Sequence, residues 1–77
     1  MVNMEQIKVI NNEWIKTENE YWIHKRIIIK FYVSREGAVI AETDIEDIYE
    51  SYKKYVLKVC KSEKEAHQLL EYTLRSL

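Results

Sequence analysis

The sequence predicts an α+β domain in which strands come first and helices follow. Apolar residues tend to alternate over residues 21–41, as they do in strands, whereas over residues 45–77 they recur every three to four positions, as they do on helices. Thr43 and Glu46 stand at this change of period in the S/T-x-x-E/Q order of a capping box. The predicted fold is an antiparallel meander of three or four strands, over about residues 6–42, packed on two C-terminal helices.

The strongest strand signal covers residues 21–33, where β-branched and aromatic side chains are abundant. Lys25 interrupts the apolar face and marks the expected position of a bend or bulge. Because this segment is long for one strand, we expect its first part to pair with residues 13–17 and its second part with residues 38–42.

A hairpin loop is predicted at residues 34–37, where Gly37 is free to adopt a positive φ. With a four-residue loop, the expected register places two apolar pairs on one face: Val33 opposite Ala38, and Phe31 opposite Ile40.

The N-terminal part is ambiguous between strand and helix. Residues 6–10 and 13–17 flank Asn11 and Asn12, which tolerate left-handed backbone in a tight turn, so a second hairpin is predicted. A helix over residues 4–16 remains the alternative, because apolar residues also stand there at helical spacing: Met4, Ile7, Ile10 and Trp14.

The first predicted helix spans about residues 44–61. Its acidic residues crowd the first turns and its lysines the last, which complements the helix dipole. Its apolar stripe predicts that Tyr49, Tyr52 and Val56 are substantially buried.

The second predicted helix spans about residues 63–77 and begins at a capping box formed by Ser62 and Glu65. Its apolar face consists of six residues: Ala66, Leu69, Leu70, Thr73, Leu74 and Leu77. We expect a sharp corner between the two helices, although one long kinked helix is also consistent with the sequence.

Composition limits the class of protein. A chain of 77 residues allows a single domain, residues 1–77, and with 47% hydrophobic residues it can build a core without metal or disulfide. Cys60 is the sole cysteine, which excludes an intramolecular disulfide and predicts a reducing, cytoplasmic location. Neither a membrane span nor a signal peptide is predicted.

No residue pattern predicts catalysis. The soft ligands and candidate nucleophiles are His24, Cys60 and His67, which share no local spacing, whereas a zinc site needs three or four convergent ligands. The carboxylates fit helix starts or solvated faces. We therefore expect no enzyme activity, no metal and no cofactor.

The candidate binding surface lies on the second face of the long strand, where aromatic and basic side chains alternate: Trp22, His24, Arg26, Lys30 and Tyr32. Aromatic and arginine side chains anchor protein–protein interfaces, and aromatic rings mixed with cations also bind single-stranded nucleic acid. The net charge of −1 favours a protein partner, because nucleic-acid affinity comes largely from phosphate contacts.

Self-association is also predicted, because a small chain with aromatics on a second sheet face has apolar surface to cover. The expected homodimer contacts are Trp22 or Tyr32, or else Leu57 and Tyr72. A bias toward Lys, Ile, Glu, Asn and Tyr is typical of AT-rich coding sequence, which is the basis for a hypothesis of phage or plasmid origin and a role as a regulator or inhibitor.

Overall fold

The computed structural model describes residues 6–46 and 52–77. Within these ranges the chain forms two three-stranded antiparallel sheets and one α-helix, which confirms the predicted α+β class. The strands are β1 (Val9–Ile10), β2 (Trp14–Lys16), β3 (Trp22–His24), β4 (Ile28–Val33), β5 (Ala38–Glu46) and β6 (Tyr52–Val59), and helix α1 spans Glu63–Leu74. Strands β1–β2–β3 form sheet A and β4–β5–β6 form sheet B, so the prediction of a single meander is wrong.

The division into two sheets occurs at the predicted bend. A 3-10 turn, Lys25–Ile27, separates β3 from β4, and the backbone N–H of Arg26 donates to Nδ1 of His24 at 3.0 Å. Before the turn β3 pairs with β2, and after it β4 pairs with β5. Residues 21–33 thus contribute one strand to each sheet, as predicted from a length that is excessive for a single strand.

The N-terminal residues form strands rather than the alternative helix. Asn11 and Asn12 have φ angles of 55° and 60°, and the N–H of Glu13 donates to the carbonyl of Ile10 at 3.0 Å. Asparagine adopts this left-handed conformation at less cost than most residues. The tight turn brings β1 and β2 together as an antiparallel pair.

The hairpin between β4 and β5 has the predicted position, but its predicted register is wrong. The observed pairs are shifted by one residue: Val33 with Val39 instead of Ala38, and Phe31 with Ala41 instead of Ile40. The cause is the loop length, since the N–H of Ser34 donates to the carbonyl of Ala38 at 2.9 Å and encloses three residues rather than four. Gly37, at φ 88°, makes this tighter loop feasible.

The predicted first helix is wrong. Residues 38–46 continue as β5, and residues 52–59 form β6 beside it. Tyr52 and Val56, predicted to be buried, are 50% and 38% exposed, whereas Leu57 is 2% exposed. Tyr49 lies outside the described residues. Valine and tyrosine favour strands, and pairing with β5 overrides a helical spacing that short segments also show by chance.

The second helix is confirmed at its start. Ser62 is the N-cap of α1, and its Oγ accepts a hydrogen bond from the N–H of Glu65 at 3.1 Å. The short connection after β6 is therefore a strand-to-helix junction rather than a corner or kink between helices. Leu74, predicted on the buried face, is 45% exposed.

One cluster of buried side chains joins the two sheets to the helix. Its members come from the segment before β1, from sheet A, from sheet B and from α1: Ile7, Ile15, Ile23, Val39, Ala41, Leu57, Ala66 and Leu69. Each strand near this cluster directs alternate side chains inward, so its remaining side chains form the outer surface. No helix within the described ranges is long and apolar enough to cross a membrane.

Candidate functional site

The outer face of sheet A carries exposed aromatic side chains. Ile15 and Ile23 lie opposite each other and point into the core, so their neighbours in β2 and β3 point outward. We call this face the aromatic surface, and it consists of Ile10, Trp14, Lys16, Trp22 and His24.

Cross-strand contacts hold the aromatic surface in place. Trp14 lies opposite His24, and their rings meet edge to face, with centroids 4.9 Å apart and planes at 86°. Lys16 lies opposite Trp22 and places its Nζ 5.9 Å from the ring centroid. Such pairs favour one orientation of each ring. The surface is therefore organised before any partner binds.

Large apolar areas of this surface remain open to solvent. Ile10, Trp14 and Trp22 are 47%, 41% and 39% exposed. A single exposed hydrophobic residue is ordinary, but three on one small sheet face form a patch of the kind that marks an interaction site.

A carboxylate lies beside each of the two polar side chains of the aromatic surface, Lys16 and His24. Lys16 Nζ lies 3.9 Å from Oε1 of Glu20, and His24 Nε2 lies 3.8 Å from Oε2 of Glu13. An exposed ion pair such as that of Lys16 with Glu20 adds little stability, but it reduces the local positive potential. The aromatic surface is thus weakly charged overall.

The structure separates the sequence-predicted binding residues. Trp22 and His24 belong to the aromatic surface, whereas Lys30 and Tyr32 lie on β4 in sheet B. Arg26 lies in the 3-10 turn between them and is exposed. The cause is the turn itself, which breaks the alternation that had placed all five on one strand face.

In sheet B a carboxylate is shared by two lysines. Lys30 Nζ lies 3.5 Å from Oε2 of Glu42, and Lys54 Nζ lies 3.9 Å from Oε1 of the same side chain, which is only 13% exposed. Lys30 also places its Nζ 5.6 Å from the ring centroid of Tyr32. These lysines are held by groups within the chain.

The predicted dimer contacts also separate. Leu57 lies in the core and has no exposed side chain to offer. Tyr72 is 52% exposed and shares with Trp22 a groove of about 600 Å³, at the end of α1. The two predicted contacts therefore have different environments, and Tyr72 alone of this pair lies on the surface.

A second cleft lies between the turn before β3 and the strand β6. It has a volume of about 480 Å³ and is lined by Asn19, Tyr21, Trp22, Lys53, Lys54 and Tyr55. Lys53 Nζ lies 5.3 Å from the ring centroid of Tyr55. Sequence reasoning missed this cleft because it assigned β6 to a helix.

Trp14 is the other residue that sequence reasoning missed. The alternation Trp14-Ile15-Lys16 is the signal that could have found it, because it repeats the order Trp22-Ile23-His24 of the strand beside it. Both tryptophans precede a buried isoleucine, so they occupy the same face of sheet A.

The groups suited to nucleophilic or metal chemistry are dispersed. Burial, with a smaller contribution from the carboxylate of Glu65, raises the pKa of the Cys60 thiol and so disfavours the reactive thiolate. His67 lies 3.9 Å from Glu63 on the exposed side of α1. Within residues 6–46 and 52–77, no three His, Cys, Asp or Glu residues are grouped to hold a metal ion.

No protein-family model, curated protein or solved structure matches this chain.

Proposed function

We propose that this protein is a small non-enzymatic binding protein that contacts another protein through the aromatic surface of sheet A. The observation that carries the proposal is that exposed Trp14 and Trp22 stand beside Lys16 and His24, each of which already faces a carboxylate. Tryptophan is enriched among the residues that dominate protein-interface energies. A nucleic-acid site would instead need cations available for phosphate.

The restricted orientation of the rings on the aromatic surface also favours a protein partner. The contacts of Trp14 with His24 and of Trp22 with Lys16 restrict the rings before binding. Rigid anchors lose less conformational entropy on association, so more of their contact energy appears as affinity. The amino-acid bias typical of AT-rich coding sequence supports a role as a regulator or inhibitor encoded by a mobile genetic element.

A pull-down from cell lysate tests the proposal. We expect the wild-type protein to retain a protein partner after nuclease treatment. Trp22→Ala should weaken binding of that partner by about 2 kcal/mol, so that less of it is retained. Tyr52→Ala is the matched control, because Tyr52 is another exposed aromatic residue, 50% exposed, on β6. Equal retention by Trp22→Ala and wild type would contradict the assignment of this surface.

Binding of single-stranded nucleic acid is the second candidate, and the cleft between β3 and β6 favours it. Its lining contains Lys53 and three aromatic residues, and no described carboxylate lines it, although its second lysine, Lys54, lies 3.9 Å from Glu42 outside the cleft. Stacking of bases on aromatic rings with nearby cations is a general mode of single-strand recognition.

Salt dependence distinguishes the two candidates. If the cleft binds single strands, the affinity for a fluorescent oligonucleotide falls steeply with salt, and Lys53→Gln flattens that slope. Lys64→Gln, on the exposed side of α1, is the charge-matched control. Neutralising Arg26 or Lys30 in the same titration tests whether the two cations of the sequence-predicted binding surface contact the oligonucleotide. We expect no low-micromolar oligonucleotide binding at physiological salt.

A further inference from the structure

We propose that the open edge of β4 pairs with the same edge of a second copy of this chain. Two copies of the three-stranded sheet B would then form one continuous six-stranded sheet across a twofold axis. β4 is an edge strand of sheet B, and no other described strand lies on its far side. This contact is separate from the aromatic surface and does not depend on the proposed function.

The backbone of β4 presents hydrogen-bonding groups toward this open edge. The N–H of Ser34 points toward β5, where it donates to the carbonyl of Ala38 at 2.9 Å. Backbone groups alternate in direction along an antiparallel strand, so those of Tyr32 also face β5. The N–H and carbonyl groups of Phe31 and Val33 therefore face away from the sheet, as a template for another strand.

The opposite edge of sheet B is protected in two ways. Strand β6 carries three lysines, Lys53, Lys54 and Lys58, which is a common means of preventing edge pairing. The carbonyl of Val56 also accepts a hydrogen bond from the N–H of Glu18, at 2.8 Å, so the turn before β3 covers this edge.

The edge at β4 is less protected: its register with β5 shifts between Ile28 and Lys30, but among the described residues no turn bonds to it as Glu18 bonds to β6. Its segment Ile28–Val33 has high strand propensity and a single charged residue, Lys30. Glu42 lies 3.5 Å from Lys30 and 3.9 Å from Lys54, so it offsets one lysine on each edge, and β6 carries two more lysines than β4. Ile29 is 51% exposed, so this edge presents an apolar side chain that is half open to solvent. The contrast between the two edges favours β4 as the interface.

The sequence of β4 complements itself when the twofold axis passes through Phe31. Ile29, the residue at which the register with β5 shifts, then comes opposite Val33 of the second copy, which brings together two β-branched apolar residues. Lys30 lies opposite Tyr32 of the second copy, a pairing that repeats the cation–ring contact of 5.6 Å already present within each chain. This self-match is why the proposed occupant is a second copy rather than an unrelated strand.

The wild-type protein provides the first test. Sedimentation should show a monomer–dimer equilibrium, and amide hydrogen exchange followed by NMR should change with concentration at selected positions. We expect the amides of Phe31 and Val33 to gain protection as the dimer forms, while those of Tyr32 and Ser34 are protected at every concentration. A monomer at millimolar concentration, or a dimer that leaves Phe31 and Val33 unprotected, would overturn the proposal.

A charge substitution provides the second test. Ile29→Lys places a charge on the open edge in both copies and should weaken dimerisation by about tenfold or more. Val59→Lys is the matched control, because Val59 is similarly exposed, at 56%, but lies on β6 at the opposite edge. Equal weakening by both variants, or no weakening by Ile29→Lys, would contradict the assignment to β4.

Discussion

Thr43 Oγ1 donates a hydrogen bond to the backbone carbonyl of Lys53 across 2.9 Å, which ties β5 to β6 through a side chain. Thr43 is fully buried, at 0% exposure, and its hydroxyl also accepts from the N–H of Ile45 at 3.4 Å. The same residue looks like a helix N-cap in the sequence. Its actual partners are in the neighbouring strand and in its own strand, and the first prediction exploits this difference.

Thr43→Asp should destabilise the protein by about 3 kcal/mol, because a carboxylate would be buried between strands without a cation. Thr43→Val, which removes only the hydroxyl, should cost about 1 kcal/mol. Urea unfolding followed by circular dichroism measures both. Ser62→Asp is the control, since Ser62 is an exposed N-cap and aspartate caps as well as serine, so its change should stay within about 0.5 kcal/mol. Equal tolerance of aspartate at both positions would refute the strand assignment of Thr43.

The second prediction concerns Gly37. At φ 88°, a Cβ added to Gly37 would lie 3.0 Å from the backbone C and O atoms of Ser62, so both conformation and space oppose a side chain. Gly37→Ala should cost about 2 kcal/mol or more in thermal or urea unfolding. A cost below the error of the measurement would show that the hairpin and the start of α1 can separate.

Glu20 offers the matched control for Gly37. It occupies the same place in the turn between β2 and β3, since its N–H donates to the Thr17 carbonyl as that of Gly37 donates to the Ser34 carbonyl, both at 3.0 Å. Glu20 has φ 67°, which is strained for a residue with a Cβ. Glu20→Gly should therefore leave stability unchanged or raise it by up to about 1 kcal/mol. A clear loss would mean that the pair with Lys16 contributes more than an exposed ion pair usually does.

The third prediction compares the stability cost of removing a side chain from each face of sheet A, at two adjacent residues of β2. Ile15→Ala should cost about 3 kcal/mol, because Ile15 is 0% exposed and its removal leaves a cavity. Trp14→Ala should cost about 1 kcal/mol, since Trp14 is 41% exposed and loses mainly its contact with His24. Denaturant unfolding of the two variants measures the difference. The reverse order of costs would place the core on the other face of the sheet.

The fourth prediction concerns the reactivity of Cys60. Because burial and the negative charge of Glu65 raise the pKa of the thiol, its thiolate fraction at a given pH is below that of an ordinary cysteine. The rate of alkylation by iodoacetamide should therefore rise at a higher pH than for a cysteine model peptide. Glu65→Gln should move the midpoint to lower pH, and it retains a residue type that suits a capping box. Fast alkylation at neutral pH would contradict this environment.

The helix start at Ser62 and the turns at Asn11, Asn12 and Gly37 could be predicted from sequence, because each depends on local conformational preferences. The bend at Lys25 could be predicted for a similar reason, since a break in alternation is a local signal. Trp22 and His24 share one face both in the sequence pattern and in the structure, because they are two residues apart on one short strand. These features needed no knowledge of distant neighbours.

The tertiary structure alone decided that residues 52–59 form a strand and which side chains make up the aromatic surface. Thr43 and Ser62 head the same capping-box pattern, yet Thr43 lies in a strand because pairing with β6 buries its hydroxyl and satisfies it with the Lys53 carbonyl. The deciding partner lies 10 residues along the chain in another strand, and the local spacing of apolar residues carries no information about that pairing. Trp14 joined Trp22 on one face for the same reason, since cross-strand pairing, not sequence distance, determines which side chains meet.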